Sequence, residues 1–239
     1  MTAMIYKYET HLHTTEASAC SVSNAKSYIE PYVKAGYKGI IVTDHFFGGN
    51  TAIDRTLDWK TRINLFCKGY ENALEEAKKY EGFQVFFGFE QTFQGDDYLV
   101  YGLDKEWLLN HPEVETMNHE ELFAAVNYNH GLIVQAHPFR LRHYIKAIHV
   151  HPRTIHAIET YNGGNVKCEN ELATLYAKLY NFPKTSGSDI HNSDNVPTNG
   201  EESMLGGVSF DTPLTSIDDY INRIKNHEGK IIDPSNIEI

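Results

Sequence analysis

THLHTTEASAC, residues 10–20, follows a run that is mostly apolar or aromatic, Met4–Tyr8 (MIYKY). This puts His11 and His13 at the mouth of the first strand candidate, Met4–His11. Side chains two apart on a strand point to one face, so both imidazoles can reach one ion. An HxH pair alone is weak evidence, because polar residues at a strand end are often a solvated turn. What decides the reading is whether other strands end the same way.

They do. The next candidates are Gly39–Thr43, Gln84–Glu90, Tyr98–Leu103, Leu132–Ala136, His156–Tyr161 and Phe182–Ser188. In order, they close on Asp44 and His45, on Glu90, on Asp104, on His137, on Glu159 with Asn162, and on Asp189 with His191. Helical spacing and capping residues mark Ser23–Ala35, Phe66–Tyr80, Asn118–Asn129 and Val166–Tyr180. In the last of these Leu172, Leu175, Tyr176 and Leu179 share one face. Strands alternating with helices imply parallel strands in an α/β arrangement. Runs such as GIIVT and LIVQA are apolar throughout, as in strands covered on both faces. Seven of them form an open doubly wound sheet or a closed barrel. An imidazole or carboxylate at each C-terminal strand edge is the arrangement of a barrel active site. Gly207–Phe210 and the helical run Ser216–Asn226 pack outside that barrel or close its bottom.

Hydrophobic residues make up 41% of the 239, enough for a sizeable core. One domain, 1–239, is expected, with a motif-bearing core over 5–191 and an extension over 200–239. No apolar run is long enough to span a membrane, and the N-terminus lacks the regions of a signal peptide. Cys20, Cys67 and Cys168 are an odd number without close pairing, which points to a reduced, cytoplasmic compartment. A net charge of −11 disfavours nucleic acid as a partner.

The gathered groups are rich in nitrogen and oxygen. Such a set suits Zn²⁺, Mn²⁺ or Fe²⁺ better than Ca²⁺ or Mg²⁺. At roughly four to six ligands per ion, the candidate groups serve two or three ions, with Glu90 as the natural bridge.

Five motifs in order resemble the PHP (polymerase and histidinol phosphatase) domains: HLHT at 11–14, TDH at 43–45, GFE at 88–90, AHP at 136–138 and SDIH at 188–191. The resemblance implies a distorted (βα)7 TIM-like barrel with a metal cluster at the C-terminal ends of its strands. It implies one ion on His11, His13, Glu90 and Asp189, a second on Glu90 and His137, and a third on His45 and His191. It also implies a metal-dependent phosphoesterase. Two positions depart from the all-histidine pattern. Cys20 and Asp104 stand where some members have histidine, and both are competent ligands. The other reading of Asp104 is an N-cap for KEWLL; that of Cys20 is a small residue packed under the first loop.

Clustered divalent cations neutralise a phosphate ester and lower the pKa of bound water toward about 7, so that metal-bound hydroxide attacks phosphorus. Arg140, in AHPFR, is the expected phosphate clamp, within a basic island that runs to Arg153. Asp44 orients a ligand histidine or protonates the leaving alkoxide. The long connection Phe46–Leu65 either overhangs the site, with Trp59 and Phe46 covering substrate, or packs on the rim. The expected partner is a small phosphorylated metabolite, such as histidinol phosphate or a nucleotide. The alternatives are a nuclease or phosphodiesterase and a non-catalytic metal-binding module.

Overall fold

A computed structural model describes residues 5–197 and 204–235. Met4 and parts of the expected 200–239 extension therefore lie outside the described residues. The strands are β1 (Tyr6–Glu9), β2 (Tyr37–Val42), β3 (Gln84–Phe93), β4 (Asp96–Tyr101), β5 (Leu132–Gln135), β6 (Ala157–Asn162), β7 (Lys184–Gly187), β8 (Val208–Phe210) and β9 (Lys230–Ile231). The helices are α1 (Ala25–Lys34), α2 (Trp59–Phe66), α3 (Lys68–Ala77), α4 (Lys105–Asn110), α5 (His119–Tyr128), α6 (Lys167–Tyr180) and α7 (Ile217–Lys225).

One sheet runs in the order β7-β6-β5-β4-β3-β2-β1-β8-β9. It closes above β1 and β7, where Leu12 bridges Ile190 in parallel. Asp189 N donates to His11 O at 2.9 Å and His13 N to Ile190 O at 3.0 Å. Lower down, the β8–β9 ribbon fills the seam. Gly207 N donates to Ser186 Oγ at 3.0 Å, and that hydroxyl donates to Ile232 O at 2.6 Å. The result is the expected TIM-like barrel with one change of direction. β4 is antiparallel to both β3 and β5, because a tight turn at Gln94 (φ 54°) and Gly95 (φ 96°) folds it straight back. Two successive positive φ values suit the right-handed twist of a hairpin.

The two-residue side-chain period explains the apolar runs. In β2, Ile41 faces the barrel interior while Ile40 and Val42 face α1 and α3. In β4, Leu99 and Tyr101 join the interior set, and Tyr98 and Val100 join the outer one. α7 closes the bottom, setting Tyr220, Ile221 and Ile224 in one cluster with Tyr8, Tyr101 and Val134. Each such side chain contributes about 1.5–3 kcal/mol on burial. α5 begins with the full capping box of Asn118 and Glu121. The expected helix over 66–80 is broken at Cys67, which ends α2 and begins α3. α6 turns the other way from its expected face. Leu172, Leu175 and Leu179 are exposed, while Ala173, Tyr176 and Ala177 are buried. Small residues let this helix lie close to the sheet.

Candidate metal centre

The upper rim holds a buried group of imidazoles and carboxylates. His11 Nε2 lies 3.1 Å from His13 Nε2 and 3.3 Å from Glu90 Oε1. Asp189 Oδ1 is 3.1 Å from His13 Nε2 and 3.5 Å from His11 Nε2. His137 Nε2 is 3.3 Å from Glu90 Oε1. The rings of His45 and His191 stack on that of His13, with centroids 4.4 and 4.5 Å away. Three overlapping triads result: His11–Glu90–His137, His11–His13–Asp189 and His13–His45–His191, the potential ligand atoms of each lying within 4.8 Å of one another.

The outer nitrogens are tied down. His11 Nδ1 pairs with Glu159 Oε1 at 2.9 Å, and the other Glu159 oxygen accepts from His137 N at 3.0 Å and Asn162 Nδ2 at 2.8 Å. His13 Nδ1 lies 3.2 Å from Ser18 Oγ, which donates to Asp44 Oδ1 at 2.7 Å. With each Nδ1 donating outward, both Nε2 lone pairs face the centre, as in carboxylate–histidine–metal relays. Beneath them Glu9 is fully buried and accepts from the backbone of Thr10, His11 and Ser188 and from the hydroxyls of Tyr32 and Ser188. It locks β1 to β7. Gly187 is needed here, since a Cβ would sit 2.3 Å from the His11 Cβ. His137 (φ 30°) and Asp189 (φ 53°) hold the left-handed backbone that side chains seldom adopt, a form of strain that clusters at functional sites.

The donor set fits divalent cations. His45 Nδ1 and Glu90 Oε2 are 2.7 Å apart and buried, yet neither has a hydrogen-bond partner. Two buried polar atoms so close without hydrogen-bond geometry would both be satisfied by a cation seated beside them. Four carboxylates, Glu90, Asp97, Glu159 and Asp189, stand among these histidines, and the one guanidinium at the rim, that of Arg140, pairs with Asp189 alone of the four. Buried carboxylates in excess of cations are costly unless a metal or protons compensate them. Burial works to raise Glu90, but the charges of His45 and His11 hold it well below the usual carboxylate range. Burial and the charge of His45 push His13 down to about 3.

Asp104 is not part of this group. Its carboxylate accepts from Trp107 N at 2.8 Å and caps α4. Because β4 is reversed, its C-terminal end lies at the bottom and its N-terminal end at the rim. Asp97 takes the rim position instead, with Oδ2 3.8 Å from His137 Nε2, and burial with the charge of Glu90 raises it to about 6. The turn glycine in FQGDD was the available signal. Asp44 does not face the pocket either. Thr14 N and Ser18 Oγ donate to Oδ1 and Thr14 Oγ1 to Oδ2, and α3 covers it so closely that a Cβ on Gly69 would lie 2.8 Å from Oδ2. It orients His13 through Ser18 and is not placed as a general acid. Arg140 reaches the rim, but Nη2 donates to Asp189 Oδ2 at 2.6 Å and Asn162 Oδ1 at 2.7 Å, and Nε to Asn165 Oδ1 at 2.8 Å. Its first task is to hold Asp189. Elsewhere in the basic island, Arg142 pairs with Glu169 and His149 with Asp96. Cys20 is half-buried beside His45 and His191. Burial raises its thiol, but hydrogen bonds with those imidazoles prevail and bring it down to about 6. The 46–65 connection packs on the rim: Phe46 is fully buried and Trp59 Nε1 donates to Leu108 O at 2.8 Å.

Among the described residues no helix is long and apolar enough to cross a membrane. No protein-family model and no curated protein matches the chain. Solved structures do. A two-domain protein from Bacteroides vulgatus, containing a predicted PHP-like metal-dependent phosphoesterase, superposes with TM-score 0.69 at 15% identity over 96% of this chain. The chain spans 65% of that protein's length. PsfC from Pseudomonas syringae matches with TM-score 0.57 at 16% identity, over 93% of this chain and 94% of its own. A provisionally assigned metal-dependent phosphoesterase from Bifidobacterium adolescentis matches with TM-score 0.56 at 14% identity, over 83% and 92%. At these identities the likeness shows a shared fold alone, the distorted TIM-like barrel expected from the sequence.

Proposed function

We propose that the protein is a metal-dependent hydrolase of phosphate esters, acting as a phosphomonoesterase on a small phosphorylated metabolite. The observation that carries this is the pair of orphaned, buried atoms His45 Nδ1 and Glu90 Oε2, 2.7 Å apart within the three triads. His11, His13, Glu90 and Asp189 would hold one ion, Glu90 with His137 and Asp97 a second, and His45 with His191 a third. Bound there, divalent ions supply Lewis acidity and lower the pKa of water toward about 7. The chain's own residues do the rest. Glu159, and Asp44 through Ser18, keep His11 and His13 in the ligating tautomer. Arg140 holds Asp189 by Nη2, and its Nη1, which hydrogen-bonds nothing among the described residues, is available to a phosphate oxygen. The names carried by the structural neighbours support phosphoester chemistry.

The test is turnover of p-nitrophenyl phosphate, then of phosphorylated metabolites, by protein loaded with Zn²⁺ or Mn²⁺. Release of inorganic phosphate that stops on chelation supports the reading. Metal-replete protein that releases none, yet binds its ions stoichiometrically, favours a non-catalytic metal-binding module.

A further inference from the structure

A cleft of about 570 Å³ opens at the far end of the barrel from the metal centre, a size usual for a small-molecule site. The reversal of β4 accounts for it. The chain leaves that strand at the bottom, through Gly102 (φ 95°), and enters α4 there. On one side α4 is tied to α3, where Lys105 Nζ donates to Glu71 Oε1 at 2.5 Å. On the other side stands the start of α7. Phe87 and Leu109 pack on the outer apolar cluster, Phe86 and Ile217 on the interior one, and Tyr70 on the cluster beneath α1 and α3. The cleft lies where the three part, and these five side chains wall it. The rings of Tyr70 and Phe87 are 5.5 Å apart. Its edge is acidic: Asp104, Glu106 and Asp218. Asp104 gives one oxygen to the cap of α4. Its Oδ2 and the carboxylates of Glu106 and Asp218 have no hydrogen-bond or ion-pair partner among the described residues. The one cation in the lining, Lys105, is already paired with Glu71.

We infer that this cleft is a second, non-catalytic binding site, for a small organic cation: an amine or quaternary ammonium carried on an apolar body. Aromatic faces attract such a cation through the ring quadrupole. The unpaired carboxylates attract it by charge, and the apolar walls take its carbon out of water. A bare metal ion is the poorer match, because the three carboxylates do not come together as a metal-sized group. An anion is repelled. No residue of the metal centre lines the cleft, so the inference stands apart from the hydrolase reading.

Calorimetric titration with benzyltrimethylammonium tests this, with benzyl alcohol as the uncharged control. The expected result is saturable binding of the cation, with benzyl alcohol about tenfold weaker. Affinity should be the same in metal-free and Zn²⁺-loaded protein, and the amide shifts of the bound protein should change around α4 and the start of α7. Glu106→Gln combined with Asp218→Asn, both at the edge of the cleft, should bring the cation down to about the affinity of benzyl alcohol. Leu109→Trp, which fills the cleft, should remove binding of both probes. An unchanged melting temperature of the double variant separates loss of charge from loss of fold. No binding of the cation, equal affinity for the two probes, an affinity that falls on loading Zn²⁺, or shifts that map to the metal rim overturns the inference, and each leaves the hydrolase reading intact.

Discussion

Glu159 shows what one buried carboxylate does for the centre. It fixes His11, receives His137 N and holds Asn162. Glu159→Gln keeps the shape but turns an amide N–H₂ toward donors, so metal affinity or kcat is expected to fall about 10–100-fold. Calorimetric Zn²⁺ titration and steady-state kinetics read it; an unchanged variant removes Glu159 from the relay. Asp104→Ala makes the opposite case. As a helix cap it is expected to lose about 1 kcal/mol of stability with full metal content, and loss of an ion by elemental analysis would return it to the cluster. His11, His13, His45, Glu90, His137, Asp189 and His191 were legible in the sequence because each stands at or just beyond the end of a strand candidate. The sequence did not disclose Glu9, the task of Glu159, or Asp97, and it left two readings of Asp44 side by side. Those depend on which strands lie side by side, and no single strand records that.

At the scale of elements, position along the chain was easier to read than orientation. β4 reads as one more parallel strand from its own residues, and only the two-residue turn before it reveals the reversal. α6 was legible as a helix, and its leucines named the wrong face. Alanines on the other face allow the close approach that the leucines would prevent. This gives a paired expectation. Leu179→Gln, on the exposed stripe, should shift stability by less than about 0.5 kcal/mol. Ala177→Leu, which overpacks the buried side, should cost about 1–3 kcal/mol. Urea denaturation of both variants is the measurement, and a larger loss in Leu179→Gln would mean that the stripe is covered.

Over the whole molecule, apolar clusters fill the barrel and its flanks while titratable groups crowd the rim, and the acid balance of the chain is felt in its pH response. Outside the metal centre, His119 and His156 are both pushed down to about 4, mainly by burial. His119 packs against the rings of Tyr98 and His151, tilted on the first and edge-on to the second, with centroids 4.2 and 4.5 Å away. Above about pH 6.5 these histidines are neutral whether folded or not. As pH falls toward 4, the unfolded chain takes up protons that the folded one refuses, so stability is full above 6.5 and is lost on the way down. Stability measured at pH 7 and pH 5 should fall less in His119→Gln than in the wild type; an equal fall contradicts the assignment.

Everything functional here hangs on cations seated among the rim histidines and acids. The most direct measurement is an anomalous difference map, at the zinc edge, from crystals of Zn²⁺-loaded protein. The expected map has peaks between His11, His13, Glu90 and Asp189 and between Glu90 and His137. A map with no peak at this rim, from protein shown to be folded and zinc-saturated in its buffer, contradicts the account.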